Sequence, residues 1–136
     1  MKKYILVLSL LAGCASPPKH YVLPDPVKAS RVGENKFILS YDGDPGETMP
    51  EATQELRRRA ASLTVKNGYS FFAIENIRDT SGTRTTAMAY RNMGFSKQVV
   101  IPQLEAEMTM FKTEPGHGAM NAQVVLQDLR EKGEVP

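Results

Sequence analysis

The segment from Thr48 to Gly68 carries both a start signal and a stop signal for one amphipathic helix. Thr48 and Glu51 have the spacing of a capping box, and Pro50 falls in the first turn, where its missing N–H is not needed. Gly68 supplies the left-handed position at which helices commonly end. Because both ends are marked, the sequence predicts a long helix over about 49–67 with one apolar face to bury.

Three segments around this helix alternate apolar and polar residues, as half-buried β-strands do. The first starts at Lys36 and places Phe37 and Leu39 on one face. The second, over 69–77, is aromatic and carries apolar residues on both faces, which favours a central strand. The third resumes after residue 99, and its apolar face consists of Leu104, Ala106, Met108 and Met110.

This order of strands and helices predicts an α+β domain, built as a two-layer α/β sandwich. We expect a small sheet of three to four strands, with the long helix on one face. A short helix over about 122–132, capped by Asn121, follows the last strand. The domain is expected over 32–133, about 100 residues, which is enough for one small core. The residues expected in that core are Phe37, Leu39, Leu56, Leu63, Phe72, Ile74 and Met108.

Residues 78–98 form a long threonine-rich stretch with few branched aliphatic residues. The composition predicts a loop or a mobile hairpin. Connections of this length are usually functional or disordered. The stretch is therefore the first place to look for an interaction site.

The only cysteine, Cys14, stands at the end of a short apolar run over 4–11. Two lysines precede the run, and Ala12 and Gly13 supply the small residues that a signal peptidase requires. The run is shorter than the ~20 residues of a membrane-spanning helix. We predict a signal peptide over 1–13, cleaved between Gly13 and Cys14; an ordinary signal peptide that contains a cysteine is the alternative.

Leu11, Ala12, Gly13 and Cys14 match the lipobox of bacterial lipoproteins position by position, and the chain resembles that class here. The resemblance implies a thioether-linked lipid on the Cys14 sulfur and acylation of the new amino group. Cys14 then has no thiol left for a disulfide. Ala15 stands where an aspartate would favour inner-membrane retention, so the resemblance implies the periplasmic face of the outer membrane.

Four prolines between Cys14 and Arg31 favour extended backbone, so we predict a lipid-anchored flexible tether over 14–31. The formal net charge of +2 comes from 17 basic and 15 acidic residues. Lys2 and Lys3 lie in the signal peptide, and cleavage leaves 15 of each sign. A neutral mature chain gives no reason to expect nucleic acid as a partner.

The stretch from Arg57 to Asn76 resembles a family of small uncharacterised proteobacterial outer-membrane lipoproteins. The resemblance implies a fold and a location, and no catalytic residue. The matching positions are Arg59, Ala60, Ala61, Leu63, Thr64, Asn67, Gly68, Tyr69, Phe71 and Phe72.

Residue types that carry catalysis are scattered along the chain. His20 and His117 do not form a cluster with cysteine or carboxylate residues at metal-binding spacing. The turn at 42–47 begins like a calcium loop, but Thr53 stands where the bidentate glutamate belongs. We therefore expect no catalytic residue, no metal site and no cofactor. The favoured interpretation is a non-catalytic binding module with an envelope protein as partner, and the alternative is a small periplasmic hydrolase or ligand-binding enzyme.

The arginine triplet at 57–59 spreads through about 200° of the helix circumference. Arg59 borders the apolar face, where a guanidinium needs an acidic or carbonyl partner. We expect Arg59 to be substantially buried and bonded beyond Glu55, to Glu75 or a strand carbonyl. Arg57 and Arg58 are expected to be exposed.

Replacing Cys14 with serine tests the anchor. We expect Cys14→Ser to yield an unprocessed or soluble protein, because the serine hydroxyl does not replace the thiol as the lipid attachment point. The measurement is metabolic labelling with a radioactive fatty acid, followed by cell fractionation. Labelled protein that survives the substitution would contradict the lipoprotein interpretation.

Overall fold

The computed structural model describes residues 25–90 and 93–133. Its strands are β1 (Val27–Arg31), β2 (Lys36–Asp42), β3 (Phe71–Asp79), β4 (Gly82–Tyr90), β5 (Met93–Ile101), β6 (Gln103–Phe111) and β7 (Met120–Asn121). Its helices are α1 (Met49–Lys66) and α2 (Ala122–Glu131). The predicted signal peptide, the lipobox and Cys14 lie outside the described residues.

Five strands form one antiparallel sheet in the order β1-β2-β6-β3-β7, and β4 pairs only with β5 in a second, two-stranded sheet. The α+β class is confirmed, but the expected count of three to four strands is wrong. The missed strands of the main sheet are β1, which follows a proline-rich stretch, and β7, which is two residues long. Neither has enough alternation to mark a strand in the sequence.

The tether prediction is wrong for residues 27–31, which form β1. Val27 is 1% exposed and belongs to the core cluster. Its backbone N–H donates to the Asp25 carboxylate at 3.0 Å, and the carbonyl of Pro26 accepts from the N–H of Asp42 at 3.3 Å. The prolines thus precede the strand rather than interrupt it, and the folded part already includes Asp25.

The central strand is β6, which lies between β2 and β3. The prediction of a central position for β3 holds only at Phe71 and Phe72, which pair with β7 on the other side, and is wrong beyond them. From Ala73 onward that edge of β3 has no neighbour among the described strands.

The core forms where α1 packs against the alternate residues of β2, β3 and β6. Of the seven residues expected there, six are buried, namely Phe37, Leu39, Leu56, Leu63, Phe72 and Met108. Ile74 is only partly buried, because β7 does not extend along β3 as far as this residue. Helix α2 packs on α1 and contributes Ala122 and Leu129 to the buried residues.

Both ends of α1 have the predicted signals. The backbone N–H of Thr48 donates to the Glu51 carboxylate at 2.7 Å. At the other end Gly68 has φ 78°, and its N–H and that of Tyr69 donate to carbonyls one turn back, at 3.0 Å each. These paired bonds are those of a Schellman motif, which needs a residue with positive φ.

Residues 78–98, predicted as a loop or a hairpin, comprise the end of β3 and most of the β4–β5 hairpin. The hairpin form is the one observed. Within the described ranges, the helices include none that is both long and apolar enough to cross a membrane.

Truncation of Leu56 tests the packing of α1. Leu56 is 0% exposed, so Leu56→Ala should lower the free energy of unfolding by about 2–5 kcal/mol. Val124 on α2 is 62% exposed and serves as a control, for which Val124→Ala should change stability by at most about 0.5 kcal/mol. Chemical denaturation measures both, and equal losses would mean that α1 does not pack as described.

Candidate functional site

One end of the main sheet collects most of the features that sequence analysis singled out. The register places Asp42 opposite Gln103 and Asp79 opposite Leu104, so β2, β3 and β6 share this end. The β4–β5 hairpin connects β3 to β6 here, through residues 80–81 and Pro102. We call residues 82–101 the arm and this end of the sheet the arm end.

The arm is exposed along its length. Every side chain described from residue 82 to residue 98 is exposed. The two strands pair with each other over nine positions, and apart from that they make only sparse contacts with the described elements. An isolated two-stranded hairpin is marginally stable in water, so the arm lacks the support that the other strands receive.

The two faces of the arm differ in chemistry, because paired residues of an antiparallel ribbon share a face. Arg84 pairs with Val99, and the same face carries Met93, Phe95 and Lys97. Met93 and Phe95 are 64% and 61% exposed. The opposite face holds small or polar residues, with Val100 as its exception: Thr83, Thr85, Ala87, Gly94, Ser96, Gln98 and Val100.

The base of the arm is tightly packed. The N–H of Gly43 donates to the Pro102 carbonyl at 2.9 Å. A Cβ at position 43 would lie 2.7 Å from Pro102 Cγ and 2.8 Å from Tyr41 Cε1, so only glycine fits. Ser81 Oγ accepts from the N–H of Gln103 at 3.1 Å. These contacts fix where the arm leaves the domain.

Carboxylates surround that base. They belong to Asp25, Asp42, Asp44, Glu47, Glu51 and Glu55, which line two adjoining surface grooves with Tyr41. Burial, together with the hydrogen bond and charge of Glu47, raises the pKa of the Tyr41 phenol above its usual range. The backbone N–H and hydroxyl of Thr48 hold the pKa of the Glu51 carboxyl below its usual range. The arm end is therefore acidic, in contrast to the arm.

Asp25 fixes the point at which the chain enters the domain. Its carboxylate lies 3.2 Å from Arg59 Nη1 and 3.6 Å from Arg58 Nη2. It also accepts from the N–H of Val27. Two guanidinium groups of α1 thus hold Asp25, the first described residue, at the arm end.

The arginine triplet behaves differently from the prediction. The ionic partner of Arg59 is Asp25, not Glu75 or a strand carbonyl, and 31% of the Arg59 side-chain surface is exposed. Its buried Nε has no hydrogen-bond partner among the described residues. The expectation that Arg58 is exposed is wrong, because Arg58 Nε donates to Glu55 at 2.8 Å and only 24% of its side chain is accessible. Arg57 is exposed as expected.

A groove of about 610 Å³ lies between α1 and α2. Its described lining contains no histidine or cysteine. The hydroxyl of Thr53 donates to the Met49 carbonyl at 2.8 Å and so belongs to the helix. Across the residues of known placement, three or more histidine, cysteine or carboxylate side chains nowhere gather in a way that could hold a metal ion. The groove carries no catalytic arrangement of the kinds sought in the sequence.

Neither the contact of Asp25 nor the amphipathic character of the arm is among the features predicted from the sequence. Asp25 falls within the predicted tether, and its partners lie more than 30 positions away on α1. The arm had a usable signal, since residues 80–101 contain three basic residues and no acidic residue. The alternation of apolar residues within it is interrupted by glycine, serine and threonine.

No protein-family model matches this chain, and comparisons with curated proteins and with solved structures find no significant match.

The contact of Asp25 with the two arginines is tested with Asp25→Asn. The amide retains the shape and loses the charge, so we expect the free energy of unfolding to fall by about 1 kcal/mol. Asp128→Asn, which removes an exposed pair with Lys132, serves as a control with a loss of at most about 0.5 kcal/mol. Thermal and chemical unfolding measure both, and a neutral Asp25→Asn would mean that Asp25 does not hold the entry of the chain.

Proposed function

We propose that this protein is a lipid-anchored protein of the cell envelope, attached through Cys14 at the periplasmic face of the outer membrane. In this proposal it is a non-catalytic interaction module, and its binding element is the arm. The observation that carries the proposal is the exposure of the arm, which presents Met93 and Phe95 at 64% and 61% exposure on one face.

The unfavourable exposure of large apolar side chains on the arm supports a binding role. Large apolar side chains in an exposed group commonly mark an interaction site. Phe95 and Met93 lie on one face, next to Lys97, and Val100 adds a further 57% exposed residue near the base. A segment that serves only as a connection between β3 and β6 needs neither the length nor these residues.

The architecture supports the same role. The domain is, in this proposal, a two-layer α/β sandwich, because α1 covers the apolar residues of β2, β3 and β6. Such a domain holds the base of the arm through Gly43 and Pro102 and leaves the rest of the arm free. It acts as a rigid mount for a binding element.

The location rests on the lipobox and on the resemblance of residues 57–76 to small outer-membrane lipoproteins. The partner is expected to be a component of the envelope. Nucleic acid is not expected, because cleavage at Cys14 leaves equal numbers of basic and acidic residues.

Photo-crosslinking in living cells tests the binding role. A photoreactive amino acid at Thr85 on the arm should yield adducts with an envelope component, either protein or lipid. The same amino acid at Gln123, an exposed position on α2, serves as a control and should yield few. Both variants must fractionate with the membrane before irradiation.

Adducts that form equally from both positions, or from neither, would contradict the proposal. A properly located protein whose arm contacts nothing is not an interaction module of the kind described.

A further inference from the structure

We propose that the arm is a second membrane-binding element, which contacts the anionic headgroups of the bilayer that holds the lipid anchor. The inference rests on the proposed attachment at Cys14 and names the partner of the arm. Its basis is the place where the chain enters the domain, the charge of the arm and the exposed apolar residues near its turn.

The chain enters the domain at the end from which the arm projects. Val27 lies opposite Tyr41, and Asp42 lies opposite Gln103, so the first residues of β1 are at the arm end. Asp25 is held there by Arg58 and Arg59. An anchor at Cys14 therefore draws the arm end, and not the opposite end near Val32, toward the bilayer.

The lengths of the two segments are compatible. The chain from Cys14 to Asp25 spans at most about 40 Å when fully extended. Each arm strand has nine residues, or about 30 Å of extended strand. The anchor can therefore reach the bilayer while the far end of the arm touches its surface.

The charge of the arm suits an anionic surface. Residues 80–101 contain Arg84, Arg91 and Lys97 and no acidic residue, whereas the rest of the mature chain has more acidic than basic residues. Basic residues combined with exposed apolar ones are the composition of segments that lie in a membrane interface. Met93 and Phe95 provide the apolar part.

The acidic arm end explains why Lys97, two residues from Phe95 on the same face, stands on a projection. Arg84 is only two residues from the base and does not reach the bilayer surface. Asp42, Asp44 and Glu47 at the base would be repelled by anionic headgroups at close range. Electrostatic forces between exposed charges fade beyond about 8–10 Å at physiological salt. An arm about 30 Å long holds these carboxylates outside that range.

A second copy of the chain is the competing partner for the arm, since the acidic arm end of that copy has the charge opposite to that of the arm. Five of the six carboxylates already have partners within their own chain, and among them Glu47 accepts from the N–H of Asp44. Asp25 and Glu55 contact Arg58, Asp42 contacts Lys28 and Gln103, and Glu51 accepts from Thr48. A bilayer interface provides both the anionic charge and the apolar region.

The test uses full-length lipidated protein reconstituted in vesicles. Because acylation consumes the Cys14 thiol, one introduced cysteine is the single labelling site for an environment-sensitive fluorophore. Met93→Cys places the probe on the arm, and Val32→Cys places a control probe at the opposite end of the sheet. The two positions are matched, at 64% and 58% exposed.

In vesicles of phosphatidylethanolamine and phosphatidylglycerol, the arm probe should shift to shorter wavelength and become shielded from a soluble quencher, whereas the control probe should not. The shift should weaken when the anionic lipid is omitted. It should also weaken at 1 M salt, where the screening length is about 3 Å. Phe95→Ser in the Met93→Cys background should reduce it as well.

Each contrary outcome overturns the inference in a distinguishable way. An unshifted arm probe on vesicle-bound protein removes the membrane contact and leaves the anchored interaction module intact. A shift that depends on protein density rather than on anionic lipid assigns the arm to a second copy. Protein that fails to remain with the vesicles removes the lipid anchor itself, and the proposed function with it.

Discussion

The packing of α1 on the sheet is the interaction on which the rest of the structure depends. Ala52, Leu56 and Ala60 are each fully buried, and the two alanines allow the helix to approach the strands closely. Across from them lie the alternate residues of β2 and β6, including Leu39 and Met108. The apolar face of α1 and the apolar face of the sheet are each too exposed to be stable alone, so the core exists only when both form.

This packing also determines which groups lie at each end of the domain. Because α1 begins at the arm end, its first turns bring carboxylates to the base of the arm, and Arg58 and Arg59 reach Asp25. The entry of the chain, the acidic groups and the arm are thereby collected at one end. The opposite end carries the turn near Val32 and the glycine that ends α1.

Among the described residues, the arm is the part that the core does not stabilise. Its strands have hydrogen bonds to each other but no apolar layer of described residues above them, so pairing within the arm is the main support that these residues give it. A tight base and a weakly supported projection support the proposed binding role. That physical imbalance, rather than any catalytic geometry, is what directs attention to binding.

The sequence by itself determined the elements that local chemistry specifies. Thr48, Glu51 and Gly68 mark α1, and alternation marks the buried faces of β2 and β6, because caps and periodicity depend only on near neighbours. Only the tertiary structure decided that β1 joins the sheet, that β6 and not β3 is central, and that Asp25 is the partner of Arg59. These facts depend on contacts between residues far apart in the chain, for which short strands and single charges leave no periodic signal.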